Sequence, residues 1–164
     1  DTEEQMYDLV TTYLPAHGWE RYEISNYARP GHACRHNLGY WLYQPYLGLG
    51  AAAHSFYDGR RRANTADILQ YITCIETGRS PQQYDEELPL ATAMAEYVFL
   101  QLRTAQGLDV RAFSTTFAED FTARYGDVVA RLVRQQLLRP TERGWALTER
   151  GMKFGNIAFA AFLP

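Results

Sequence analysis

Cysteine is scarce in this chain: its 164 residues include only Cys34 and Cys74. Two thiols so far apart in sequence make neither a disulfide framework nor the ligand set of a cysteine-held zinc or iron–sulfur centre. Free thiols in a reducing, cytoplasmic setting are the simpler expectation. No run approaches the ~18 apolar residues that a membrane span requires, and the opening DTEEQMYDLV has neither a basic region nor an apolar stretch, which predicts no secretory signal. Lysine is nearly missing, since Lys153 is the single lysine among 16 basic residues. Arginine is the better partner for carboxylate and phosphate, but genome base composition explains the bias equally well. A basic surplus is absent too. Residues 1–88 hold 7 basic and 12 acidic side chains, and residues 89–164 hold 9 and 7, for net charges of −5 and +2. Neither value suits a protein that lives on nucleic acid.

What is present is ordinary globular composition, 46% hydrophobic and 21% charged, enough for one domain or two small ones. Met6, Leu9, Val10, Tyr13 and Leu14 recur at helical spacing and stop at His17-Gly18, which predicts an amphipathic helix. A short strand over residues 19–25 and a loop over 26–35 follow, then a strand over 46–51 and a hairpin turning at Asp58-Gly59. Asn64 is expected to cap a helix whose buried stripe is Ile68, Leu69, Ile72 and Ile75. The polar stretch 79–89 reads as a domain boundary, dividing 1–88 from 89–164. Beyond it we expect helices over 90–106, from the Asp109 cap through Phe113 and Phe117, and over 127–136, then strands at 137–139 and 145–147 around the turn Thr141-Glu142-Arg143-Gly144. Thr148 caps a last helix. The first half thus reads as a parallel α/β layer and the second as mainly α and winged-helix-like.

Two blocks carry chemistry. The first, YEISNYARPGHACRHNLGYW over residues 22–41, ends in His36, Asn37, Tyr40 and Trp41: a titratable ring, an amide able to fix it, and two flat aromatic faces. Such a cluster suits a large planar ligand. An aromatic corner with one satisfied histidine is the alternative. On an extended backbone His32, Cys34 and His36 would face one way and could ligate a metal, His36 or Cys34 being the stronger candidates. In the same block Glu23 and Ser25 form a polar strand face, for which a salt bridge at Glu23 is the competing reading. The second block, YLGLGAAAHS, places Gly48, Gly50 and Ala52 where backbone could approach a ligand, with His54 at its end. Arg60, Arg61 and Arg62 are either anion contacts or a solvated hairpin tip.

Both blocks, in this order, resemble the C-terminal half of the HemW proteins, the haem-chaperone branch of the oxygen-independent coproporphyrinogen III oxidase family of radical-SAM proteins. The resemblance covers nearly the whole chain, closely over residues 20–56 and more loosely after 89, where FLQLRTAQGLD and LVRQQLL continue it. It implies the terminal part of a partial (β/α) radical-SAM barrel over 1–88, followed by a winged-helix-like domain over 89–164. It implies haem as ligand, with His36 or Cys34 on its iron, and His54 beside an S-adenosylmethionine pocket. Haem-accepting respiratory proteins would be the partners. The family's CxxxCxxC motif is missing, so S-adenosylmethionine and the 4Fe-4S cluster are expected only in a full-length parent, and the chain itself is expected to be a piece without radical chemistry. A barrel cut part-way would expose Ile24 and the strand edge at 19–25 and drive a two-fold dimer.

An oxygen-independent coproporphyrinogen III oxidase is the alternative within the family, although HNxxYW is characteristic of HemW proteins. A winged-helix DNA-binding protein, reading DNA with residues 127–136, is the alternative from another class. Anaerobic reconstitution of the 164-residue chain should yield no 4Fe-4S cluster, since Cys34 and Cys74 cannot supply three thiolates. About four irons and matching sulfide per chain in that analysis would overturn this expectation.

Overall fold

Helix α1 (Thr2–Ala16) forms where the apolar spacing predicts it, and Gly18, at φ 81°, turns the chain out of it. The computed structural model describes residues 2–164. The apolar stripe of α1 is mostly uncovered: Met6, Leu9, Val10 and Tyr13 are exposed, Leu14 is half-buried, and no residue of the helix is fully buried. Polar contacts hold it instead. Lys153 pairs with Asp8 and, at 3.4 Å, with Glu4, while Arg21 donates to the Tyr7 hydroxyl at 3.1 Å and pairs with Glu149 at 2.5 Å.

The strand expected over 19–25 shortens to β1 (Glu20–Arg21), paired antiparallel with β2 (Tyr27–Ala28). The cause lies in the turn between them. Tyr22 N–H donates to the Asn26 carbonyl, and one carboxylate oxygen of Glu23 accepts from Ser25 N–H at 2.7 Å and from the Asn26 amide at 2.6 Å. Ile24, expected to be exposed, packs half-buried against the C-terminal core.

Helix α2 (Arg35–Trp41) follows, and it breaks the extended alternation proposed for His32, Cys34 and His36. The strand predicted over 46–51 reduces to a single bridge between Tyr46 and Phe56, because Gly50 and Ala52 both take positive φ and curl the segment. The hairpin is as predicted. Strands β3 (His54–Tyr57) and β4 (Arg60–Asn64) join through Asp58 and Gly59, both at positive φ, the geometry that matches strand twist.

Helix α3 (Ile68–Glu76) is capped by Asp67, whose side chain accepts from Gln70 N–H; Asn64 closes β4 instead. Its predicted buried stripe, Ile68, Leu69, Ile72 and Ile75, is exposed. The polar stretch 79–89, read as a domain boundary, contains β5 (Gln82–Glu87), the third strand of the sheet β3-β4-β5. This strand has no apolar alternation. Charge sets its register, with Arg60, Arg61 and Arg62 opposite Glu87, Glu86 and Asp85.

The core lies after this point. Helix α4 (Leu90–Leu102) buries Met94, Tyr97, Val98 and Leu102. Strand β6 (Leu108–Asp109) leads into α5 (Val110–Phe117), and α6 (Phe121–Arg134) begins earlier than expected because Asp120 caps it. Strands β7 (Leu138–Pro140) and β8 (Gly144–Leu147) complete a three-stranded sheet ordered β6-β8-β7. The single last helix is two, α7 (Glu149–Lys153) and α8 (Gly155–Ala160), separated at Phe154. Phe113 sits at the centre, its ring within 6.0 Å of those of Tyr97, Phe117, Phe121 and Tyr125. All strand pairs among the described residues are antiparallel, so the first half offers hairpins where a parallel layer was expected.

Asp109 ties the sheet to the helices. Its carboxylate accepts from Arg111 and Ala112 N–H and pairs with Arg143. The Ala112 N–H, with Arg143 alongside, holds its carboxyl below the ordinary range. A depressed folded value stabilises the native state at pH above the unfolded value of about 3.9, and that stability is lost as pH falls through the folded one. Asp109→Asn, which keeps a cap, should therefore flatten the acid limb of a stability–pH curve. Asp109→Ala should also lose about 1 kcal/mol near neutrality, measured by denaturant titration.

Candidate functional site

The sequence HNLGYW folds as a helix, and i, i+4 spacing sorts its functional side chains onto two neighbouring faces. His36 and Tyr40 share one face. The His36 ring nitrogen Nε2 lies 3.1 Å from the Tyr40 hydroxyl, the rings meet edge to face at 4.9 Å, and His36 is exposed. Tyr40 in turn meets the ring of Tyr46 at 4.6 Å. The two sequence blocks are thereby brought together, α2 through Tyr40 and the glycine segment through Tyr46.

The other face is an anchor. Asn37 donates its side-chain amide to the Tyr22 hydroxyl at 3.3 Å, and the Trp41 ring lies under the Arg103 guanidinium at 4.4 Å. Arg103 caps the end of α4 and faces Glu23 across 3.6 Å, while Glu23 is fully buried. Backbone bonds run beside this pair, from Ile24 N–H to the Arg103 carbonyl and from Ala105 N–H to the Tyr22 carbonyl. A salt bridge at Glu23 was the competing reading in the sequence, and the structure supplies it. Neither Arg103 nor Tyr46 stood out by sequence; an arginine at the end of an otherwise apolar helix was the one available signal.

The glycine segment behaves differently from expectation. Gly48 N–H donates to the Ser55 hydroxyl, Gly50 N–H to the Tyr71 hydroxyl and Ala52 N–H to the Thr65 carbonyl. A Cβ at Gly48 would collide with the His54 carbonyl, so this glycine permits close approach of the chain to itself. His54 is exposed beside a shallow cavity of about 500 Å³, lined also by Tyr46, Arg61 and Tyr84. The arginine triplet is paired: Arg60 with Asp85 and Glu87, Arg61 with Glu96, and Arg62 with Asp85. Cys34 is exposed just before α2 and Cys74 lies on α3. Among the described residues no three His, Cys, Asp or Glu side chains come together as a metal site. Nor, among the described residues, is any helix long and apolar enough to cross a membrane.

Residues 88–154 match the family described as HemN C-terminal domain. The match lies within the chain's second half. Over 163 residues, 99% of its length, the chain is 32% identical to the heme chaperone HemW of Bacillus subtilis and spans 43% of that protein. It is 31% identical, again over 99% of its length, to the heme chaperone HemW of Lactococcus lactis, of which it spans 42%. A solved structure, the coproporphyrinogen III oxidase HemN of Escherichia coli, described as a radical SAM enzyme, superposes with a TM-score of 0.70 at 16% identity, covering 96% of this chain and 39% of that one. The chain is HemW-like from end to end, and it spans about two-fifths of the length of these relatives.

Just beyond α2, Tyr43 sits at positive φ between the rings of Phe56, Tyr97 and Phe117, joining the site to the core. Burial, with Glu96 nearby, pushes its hydroxyl from 10.0 up to about 12. A raised folded value means that the stability Tyr43 confers is complete below pH 10.0 and is lost as pH rises through about 12. Tyr43→Phe should flatten the alkaline limb in that window, read from thermal midpoints across pH.

Proposed function

We propose that this chain is the haem-presenting part of a HemW-like protein, in which the outward face of α2 meets the macrocycle. The observation that carries this reading is the pairing of exposed His36 with Tyr40 on a helix whose other face is fixed by Asn37 and Trp41. The donor chemistry fits: an accessible imidazole can serve as an axial ligand to haem iron, and Tyr40 and Tyr46 supply flat surfaces beside it. Haem would supply the iron centre and the cargo, while the residues of α2 bind and orient it. Cys34, one residue before the helix, is the competing ligand. In this reading residues 1–88 are the end of a radical-SAM barrel, residues 89–164 are a winged-helix-like domain, and respiratory haemoproteins receive the haem.

The residues present do not fit a 4Fe-4S cluster, because Cys34 and Cys74 lie in separate elements with no third thiol. The amides of Gly48, Gly50 and Ala52 are committed to bonds within the protein, so these three are not offered to S-adenosylmethionine, whereas the side chain of His54 is exposed. The DNA-binding reading loses support from Arg143, whose guanidinium is paired with Asp109 rather than offered at a hairpin tip. Titration of haemin into the wild-type chain should produce a Soret band that His36→Ala lowers and shifts, with affinity weaker by at least about tenfold. Equal binding by the two would remove His36 from the site.

A further inference from the structure

Three buried polar atoms lie behind α2 without a hydrogen-bond partner among the described residues: Glu23 Oε2, Arg103 Nε and Trp41 Nε1. They belong to one cluster, in which the guanidinium of Arg103 faces the carboxylate of Glu23 at 3.6 Å and lies over the indole of Trp41 at 4.4 Å. We propose that Arg103 is the positioning residue of this site: balanced by Glu23, it fixes Trp41 and so the direction in which α2 presents His36. The inference rests on the reading of α2 as the ligand-presenting helix, and its first readout does not depend on that reading.

Few contacts hold the helix. No residue of α2 is buried, its N-terminal cap makes no side-chain bond, and on its inner face Asn37 contributes a 3.3 Å bond beside the Trp41 contact. A flat cation over the Trp41 ring is therefore a principal restraint on the orientation of its last turn. Lysine could balance Glu23 but lacks the planar group that stacks on indole. Arginine confers this restraint only with its carboxylate in place, since either charge left alone in a buried site is destabilising.

The test uses the full 164-residue chain with Arg103→Lys and the double variant Glu23→Gln/Arg103→Met, which removes both charges together. Hydrogen–deuterium exchange over residues 35–41 should accelerate about tenfold or more in both, while exchange in α4 and α6 stays within about twofold of wild type. Haemin affinity should fall by about 10- to 100-fold, as for outer partners that orient a ligand, and His36→Ala should add little further loss in the double variant. Unchanged exchange over 35–41 overturns the proposal, and so does, where His36→Ala weakens haemin binding, affinity at the wild-type level in variants whose α2 exchange has risen. Faster α2 exchange with His36→Ala binding haemin like wild type supports Arg103 as the restraint on α2 and refutes the haem reading alone.

Discussion

A fully buried carboxylate, Glu23, is the constraint around which this molecule is arranged. Removing a charged carboxylate from water costs several kcal/mol after relaxation, on the order of magnitude seen in proteins generally, and nearby partners must offset it. Two come from the turn that Glu23 itself organises, Ser25 N–H and the Asn26 amide, and the third is Arg103 at the end of α4. The local bonds shape the turn that stops β1. The distant one registers that turn on the C-terminal domain, with the backbone bonds of Ile24 and Ala105 beside it. Arg103 then extends the same network to Trp41 and α2.

Features encoded by neighbouring residues were legible in the sequence. Asp109 and Thr148 cap the helices expected of them, and Asp58-Gly59 turns the hairpin it predicts. Each depends on a few adjacent side chains and a local backbone geometry. Misreadings arose where the deciding partner was elsewhere or the pattern was of another kind. Strand β5 pairs through charges opposite an arginine run, so a search for apolar alternation found no strand there. Residues 46–51 have the apolar composition of a strand, yet Gly50 and Ala52 turn the chain through positive φ. The Glu23–Arg103 pair spans about half of the sequence, and nothing near either residue names the other.

The candidate site divides along the same line. HNLGYW was recognisable as a unit because its residue types are unusual together, but its shape depended on whether 35–41 was extended or helical. The helix decided the chemistry. It separates His36 from the spacing that would have aligned it with His32 and Cys34, and it gives His36 a hydroxyl partner one turn away in Tyr40. The glycines of the second block allow that segment to fold on itself and bring Tyr46 against Tyr40.

Burial is distributed very unevenly, and this explains why the Glu23 network matters. Among described residues 2–87 only Glu23, Ala28 and Thr65 are buried, whereas the aromatic and aliphatic core falls after residue 87. The first half therefore owes its placement to a few specific contacts more than to a core of its own, since apolar burial is the main source of stability elsewhere. Exposed apolar faces on α1 and α3 fit the proposed reading, in which the rest of a barrel would lie against them. Helix α2 needs no such cover. Its inner face is restrained by Asn37, Trp41 and Arg103, and its outer face carries an accessible imidazole steadied by a tyrosine hydroxyl. In the proposed reading, an anchored back and an accessible front on one short helix would let a ligand be presented without being enclosed.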